Sequence, residues 1–224
     1  MATPTTIAGA PARRISWKHV TLGALLVTAA VNARFLVHYA APYFAWDPKY
    51  FDYFWPHRWR LIMHICGGIV ALICGTLQMW TGLRRRAMRF HRWTGRVYLG
   101  GVAVGITGAF LMTVYTTPHS FGVALMGLAT AWGLTTAIAY AAILKGQVQM
   151  HREWMTRSYL VTFAFVTFRV LVDNLPGLTA RFGSSPDDTL TNTTWICWVV
   201  PLAVYEVILQ SKRLRAIRAR VAGD

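Results

Sequence analysis

The sequence has few charged residues and very few acidic ones. Charged residues make up 14% of the 224 positions, with 8 Asp and Glu against 23 Lys and Arg. Several long stretches carry no charge, and an apolar stretch of about 18 residues or more is long enough to cross the hydrocarbon core of a bilayer. Soluble domains do not usually contain several such stretches. The composition therefore excludes an ordinary globular fold and predicts a polytopic membrane protein.

Cysteine is also scarce, and the sequence lacks the common motifs of soluble enzymes. Cys66, Cys74 and Cys197 each lie in an apolar stretch, and none forms a CxxC. This argues against a disulfide framework and against a thiolate zinc site. No nucleotide-binding glycine loop, HExxH helix or catalytic-triad signature is present. These absences disfavour a soluble-type hydrolase or ATPase.

The apolar stretches predict an all-α bundle of six transmembrane helices. We expect a basic arm over residues 1–18, a six-span membrane domain over 19–211 and a basic tail over 212–224. Val31-Asn32-Ala33 is similar to a signal-peptidase site, but a retained first span keeps the charges of the later loops consistent. The predicted spans cover residues 19–41, 61–83, 97–115, 121–144, 158–175 and 194–210.

The net charge of +15 would suggest a nucleic-acid partner in a soluble protein. Here the Lys and Arg residues concentrate in the N-terminal arm, the second and fourth loops and the tail, while the alternate loops carry few. The positive-inside rule then places both termini in the cytoplasm. We expect a multi-pass protein of a bacterial cytoplasmic membrane. Its partners are the lipid bilayer and anionic headgroups rather than nucleic acid.

Small residues in the second and third predicted spans indicate close helix packing. Gly101 and Gly105 form a small-xxx-small pair, and such residues let helix backbones approach each other in a membrane. We expect spans two to five to form a compact bundle, with spans one and six more peripheral. Gln78 is expected to hydrogen-bond across helices.

Histidines near the span ends are the first candidate functional residues. His91 and His151 each begin a segment with Arg and Trp, HRWTGR and HREWMTR, on the expected inner side. His64 lies one turn into span two, with His38 and His119 on the same outer side. Arg and Trp at span ends are common interfacial anchors, but anchoring does not require His.

The other interpretation of these histidines is a haem or metal site. A b-type haem takes axial imidazoles from two helices at one depth, and His91 with His151 is the plausible pair. His64 with His38 or His119 could form a second pair. Against this, His91 and His151 fall outside the predicted spans, at the depth of the headgroups.

Arg169 lies past the middle of predicted span five, where a charge is costly unless it faces the bundle interior or a partner. Asp173 follows one turn later, so one interpretation is a self-contained ion pair at i, i+4. The other is a clamp for a substrate or for a haem propionate. Arg34 and Glu206 are weaker cases of the same kind.

Several blocks of the sequence carry a resemblance. They are HICGG at 64–68, GTLQ at 75–78, HRWTGRVY at 91–98, HREWMTRSY at 151–159 and TFR at 167–169. With these blocks the chain resembles, over a core of about 61–175, a bacterial family of predicted membrane proteins of unknown function. The resemblance implies a multi-span protein with His64, His91, His151 and Arg169 as its defining polar residues, and it implies no reaction. The layout is similar to four-helix b-type cytochromes in architecture only.

Two functional hypotheses remain open at this point. In the first, His64, His91 and His151 hold haem or metal in a membrane redox protein, with Arg169 facing the same interior. In the second, these residues line a polar cavity of a small transporter or of a membrane assembly or lipid-interaction protein. A structural subunit of a larger complex is a third, simpler possibility. No catalytic residue can be assigned from the sequence.

Overall fold

A computed structural model describes residues 17–84, 87–174 and 185–221, and all regular structure within them is helical. Six helical segments in these ranges are long and apolar enough to cross a membrane, which confirms the predicted class and span number. The α-helices are α1 Trp17–Phe35, α2 Pro48–Phe51, α3 Arg58–Arg84, α4 Met88–Thr113, α5 His119–Leu144, α6 Val148–Thr162, α7 Ala164–Asn174 and α8 Pro186–Val221.

Shorter helical turns complete the spans. A π-helical turn, Leu36–Ala40, continues α1, and 3₁₀ turns at Ala41–Ala45 and Asp52–His57 lead through α2 into α3. The fifth span consists of α6 and α7, which are separated at Phe163. The chain therefore has six membrane-spanning segments. The connections between them that the structure describes are short.

Three helices extend well beyond the apolar stretches that predicted them. The third span was expected from residue 97 but α4 begins at Met88, and the fifth was expected from 158 but α6 begins at Val148. The last helix continues to Val221 through most of the predicted basic tail. Hydropathy marks the part of a helix that lies in hydrocarbon, whereas Arg-rich turns remain helical at the headgroup level because Arg is a good helix former and its side chain snorkels. The basic arm falls almost entirely outside the described residues.

Helices α3 and α4 pack with their backbones in direct contact. A Cβ on Gly67 would lie 2.3 Å from the backbone N of Gly105, and a Cβ on Gly108 would lie 2.6 Å from the backbone N of His64. Gly100, one residue before the predicted pair, has nothing within 4 Å of its Cβ position. Glycine thus permits the close approach on one face of α4 only.

The first and last spans are the least buried. Of their most apolar stretches, 11% and 17% are buried, against 39% for each of the other four. The core lies between α3, α4, α5 and α6, where Ala71, Tyr98, Val102 and Trp132 pack together.

A hydrogen-bonded cluster of hydroxyl groups occupies the middle of this core. The Tyr98 hydroxyl lies 2.7 Å from Ser158 Oγ and 2.8 Å from Thr162 Oγ1, and Trp132 Nε1 donates to Thr162 Oγ1 at 2.8 Å. Thr162 Oγ1 donates its own proton to the backbone carbonyl of Ser158, so it accepts from Tyr98 and Trp132. Each polar side-chain group of this cluster has a hydrogen-bond partner, as burial in a membrane core favours. The cluster fixes the register of α4 against α6.

Candidate functional site

The bundle has two chemically different ends. The basic end contains the end of α3, the start of α4, the connection at 145–147 and the C-terminal part of α8, where most of the described Arg residues lie. The aromatic end contains the turns before α3, where the rings of Trp46, Phe51 and Trp55 contact one another. Candidate polar residues occur at both ends, and they form separate groups.

At the basic end, His91 lies in the first turn of α4 and is partly buried against α3. Its Nδ1 lies 2.8 Å from Thr81 Oγ1. Thr81 Oγ1 also lies 2.8 Å from the Leu77 backbone carbonyl, and when the single hydroxyl proton goes to that carbonyl, His91 donates to Thr81 through Nδ1. The Nε2 lone pair then has no hydrogen-bond partner among the described residues.

Glycine and glutamine of α3 shape the surroundings of His91. A Cβ on Gly82 would lie 3.4 Å from His91 Cε1, so the imidazole packs against the bare backbone there. Gln78 Nε2 donates to the His91 backbone carbonyl at 2.5 Å and also to Thr94 Oγ1. The expected cross-helix bond of Gln78 is therefore present, and it ties the first turn of α4 to α3.

His151 occupies the matching position on α6. Its Nδ1 lies 2.8 Å from the Ala139 backbone carbonyl of α5, and since a carbonyl oxygen can only accept, Nδ1 is again the protonated nitrogen. Nε2 of His151 is likewise free of hydrogen bonds to described residues. In both imidazoles Nδ1 is therefore the hydrogen-bonded nitrogen, and Nε2 has no hydrogen-bond partner among the described residues.

The register of α4 and α6 brings these two histidines to one depth. Both helices start at the basic end and run in the same direction, and Tyr98 contacts Ser158 directly. His91 and His151 each lie two helical turns before one of these two residues, so they project from the same faces of their helices.

Two other residues of the HREWMTR segment form ion pairs that join α6 to α8. Glu153 accepts from Arg213 at 2.5 Å, and Arg157 Nε donates to Glu206 at 2.6 Å. These carboxylates are neutralised by their partners, which leaves several exposed cations around the histidines. Among the described residues these include Arg89, Arg92, Arg96, Lys145 and Arg152.

His64 belongs to a different part of the molecule. Its Nδ1 lies 2.8 Å from the Gly105 backbone carbonyl, and its ring is tilted against Phe165 at a centroid distance of 4.9 Å. At about 1.5 Å per residue, the stretch of α3 from His64 to Thr81 spans about 25 Å. Within the described part of the chain, no group of three or more His, Cys, Asp or Glu side chains comes together. The three predicted histidines therefore do not form one site, because His91 and His151 lie at the basic end and His64 lies apart from them.

His64 lines a cavity of about 220 Å³ towards the aromatic end. Arg169 of α7 lines the same cavity, and so do Tyr39 and Thr116. Trp132, whose indole belongs to the hydroxyl cluster, contributes to the wall from α5. The remaining walls are apolar and rich in aromatic rings, among them Phe35, Phe121, Phe165 and Phe168.

The expected ion pair between Arg169 and Asp173 does not form. Asp173 instead accepts a hydrogen bond from the Tyr39 hydroxyl, and the Arg169 guanidinium lies 5.8 Å from the centre of the Tyr39 ring. The partner of the Asp173 carboxylate is thus Tyr39 of the first span. The i, i+4 spacing of Arg169 and Asp173 within one helix gives no information about a contact with another span. The structure therefore presents Arg169 without a hydrogen bond or ion pair to any described residue.

The other predicted outer residues lie away from this cavity. His38 and His119 are exposed and do not line it, so neither pairs with His64 there. Arg34 is exposed on α1, and the Glu206 carboxylate is held by Arg157. Sequence reasoning missed Tyr39 and Trp132, because an aromatic residue in a span has no local signal that separates a cavity wall from ordinary packing.

The fold and the two groups of polar residues define a six-span helical membrane protein with partly buried histidines at both ends of its bundle. Residues 61–209 match the family described as "Predicted membrane protein (DUF2306)", and the chain belongs to that family. The match extends through the sixth span, beyond the core of about 61–175 that the sequence resemblance suggested. Searches among curated proteins and among solved structures gave no significant match.

Proposed function

We propose that the protein is a membrane haem protein in which His91 and His151 are the axial ligands of one b-type haem at the basic end. The observation that carries the proposal is the matched pair of imidazoles, at one depth on parallel helices, with both Nε2 atoms unengaged. Bound haem supplies reversible one-electron chemistry. We accordingly place the protein among membrane electron carriers.

The hydrogen bonds of the two histidines support this assignment. A metal-ligating histidine usually donates its second ring N–H to a carbonyl or another acceptor, which fixes the tautomer and the ring orientation. His151 does this through Nδ1 to the Ala139 carbonyl, and the Thr81 hydroxyl offers His91 Nδ1 an acceptor in the same position.

The surrounding charge supports haem over a bare divalent ion. Exposed Arg92 and Arg152 follow the two histidines directly, and two helix N-termini add further positive potential. This environment opposes a free dication. It suits the propionates of a haem, because Arg pairs well with carboxylates.

The first test is the absorption spectrum of detergent-purified protein made in haem-replete cells. We expect a Soret band in air-oxidised protein and a sharp α-band after dithionite reduction, with one haem per chain by extraction. A featureless spectrum from such cells would remove the haem assignment and leave the cavity at the aromatic end as the main functional site.

We also propose that the basic end faces the cytoplasm of a bacterial inner membrane, with both termini inside. The exposed cations of the basic end support this, because positive loops are retained on the cytoplasmic side and attract anionic headgroups. A fluorescent protein fused after Asp224 should be bright, and alkaline phosphatase fused there should be inactive. An active phosphatase fusion would show that the C-terminus lies outside the cytoplasm and would contradict the proposed orientation.

A further inference from the structure

We propose that the cavity at the aromatic end binds the ring of a lipid-soluble quinol. In this assignment one ring hydroxyl donates to His64 Nε2, and the second ring oxygen accepts from Arg169. The site is independent of the haem proposal, because it lies at the other end of the bundle and is made of different residues. The argument rests on the polarity of the two side chains, the size of the cavity and the nature of its walls.

The hydrogen bond of His64 determines what its free nitrogen can recognise. The Gly105 carbonyl takes the Nδ1 proton, so Nε2 carries a lone pair and no proton. The group that satisfies it must be a donor, such as a hydroxyl. A carboxylate or a quinone carbonyl offers only acceptors and does not match His64.

Arg169 has the opposite requirement. Its guanidinium has only donors and is partly buried. Apart from the Tyr39 ring at 5.8 Å, it has no partner among the described residues, and none of them accepts a hydrogen bond from it. A charge at this depth is costly without a partner, and a ligand oxygen supplies one. The Tyr39 and Thr116 hydroxyls that also line the cavity donate their protons within the protein. His64 and Arg169 thus provide an acceptor and a donor without partners, which matches a molecule with a hydroxyl and a second oxygen.

The aromatic walls and the volume of the cavity suit a single ring of a ligand. The rings of Phe35, Phe121, Phe165 and Phe168 line the space, and aromatic walls favour offset or edge contacts with a ligand ring. The volume of about 220 Å³ lies below the range of about 300–1,000 Å³ for drug-sized ligands. One substituted ring fits it, whereas a complete phospholipid or haem does not, so the isoprenoid tail of a quinol lies outside the cavity.

The test compares three ligands that share one decyl tail, by titration into purified wild-type protein in detergent. We expect decyl-hydroquinone to bind about tenfold or more tightly than its dimethyl ether, which lacks both donors, and than the oxidised decyl-quinone. Equal binding of the three compounds would overturn the proposal. Preferential binding of the quinone would also overturn it. In both cases affinity would not depend on a ligand hydroxyl that donates to His64 Nε2.

Variants separate the two polar contacts. Arg169→Gln should weaken decyl-hydroquinone binding about tenfold or more, while Arg34→Gln, an exposed Arg of α1 outside the cavity, should leave it unchanged. His64→Leu should abolish the preference for the hydroquinone over its ether, and His38→Ala should preserve it. The ligand comparison on wild-type protein stands even if the His64 variant fails to fold. An Arg169 variant with unchanged affinity would contradict the assignment of the second oxygen.

Discussion

Replacing either His91 or His151 with alanine should remove the low-spin haem spectrum. Each variant deletes one of the two axial nitrogens, and even a residue that only positions a metal ligand typically contributes 10–100-fold to metal affinity. We therefore expect the haem bound per chain to fall about tenfold or more in each variant. The measurement is the haem content and the reduced α-band of purified protein.

Two controls separate ligand loss from misfolding. His38→Ala removes an exposed histidine whose side chain has no hydrogen-bond partner among the described residues. This variant should leave the spectrum unchanged. His91→Gly creates space where the imidazole packs, so added imidazole should restore the low-spin spectrum if the variant is folded. A variant that elutes as monodisperse protein, keeps its haem and shows an unchanged α-band would contradict the role of that histidine.

Replacing Gly67 with alanine should strongly destabilise the packing of α3 against α4. The new Cβ would lie 2.3 Å from the backbone N of Gly105 and 2.5 Å from the Gly101 carbonyl, and backbone atoms cannot move aside as the end of a flexible side chain can. Overpacking usually costs about 1–3 kcal/mol, and this contact has backbone on both sides, so we expect a cost at or above that range. The checks are the yield of monodisperse protein and its thermal midpoint.

Gly100→Ala is the matched control for this prediction. Gly100 lies on α4 beside the contact, but a Cβ there has nothing within 4 Å. Alanine is the better helix former by up to about 1 kcal/mol, so this variant should be as stable as the wild type or slightly more so. If Gly67→Ala matched Gly100→Ala in stability, the close contact of α3 with α4 would be wrong.

The sequence predicted the helical spans and their close packing because both depend on local composition. Uncharged stretches mark the hydrocarbon thickness, and Gly101 and Gly105 mark the face of α4 that meets α3. Helix ends were predicted less well, because hydropathy falls at the headgroups while the helix continues. This error placed His91 and His151 in turns, whereas they lie inside α4 and α6.

The candidate sites could not be predicted in the same way, because they depend on contacts between distant residues that local sequence patterns do not reveal. The matching of His91 with His151 follows from the Tyr98–Ser158 contact, which joins residues far apart in the chain. The separation of Arg169 from Asp173 depends on Tyr39 of another span. Residue types therefore indicated which side chains are unusual in a membrane, and tertiary packing determined which of them meet.

Electron paramagnetic resonance of the air-oxidised protein is the most direct test of the proposed haem site. We predict a low-spin ferric signal of bis-imidazole type in the wild type and in His38→Ala, and its loss in both His91→Ala and His151→Ala. A high-spin signal in the wild type, or a low-spin signal that survives in both variants, would show that these two imidazoles are not the axial ligands.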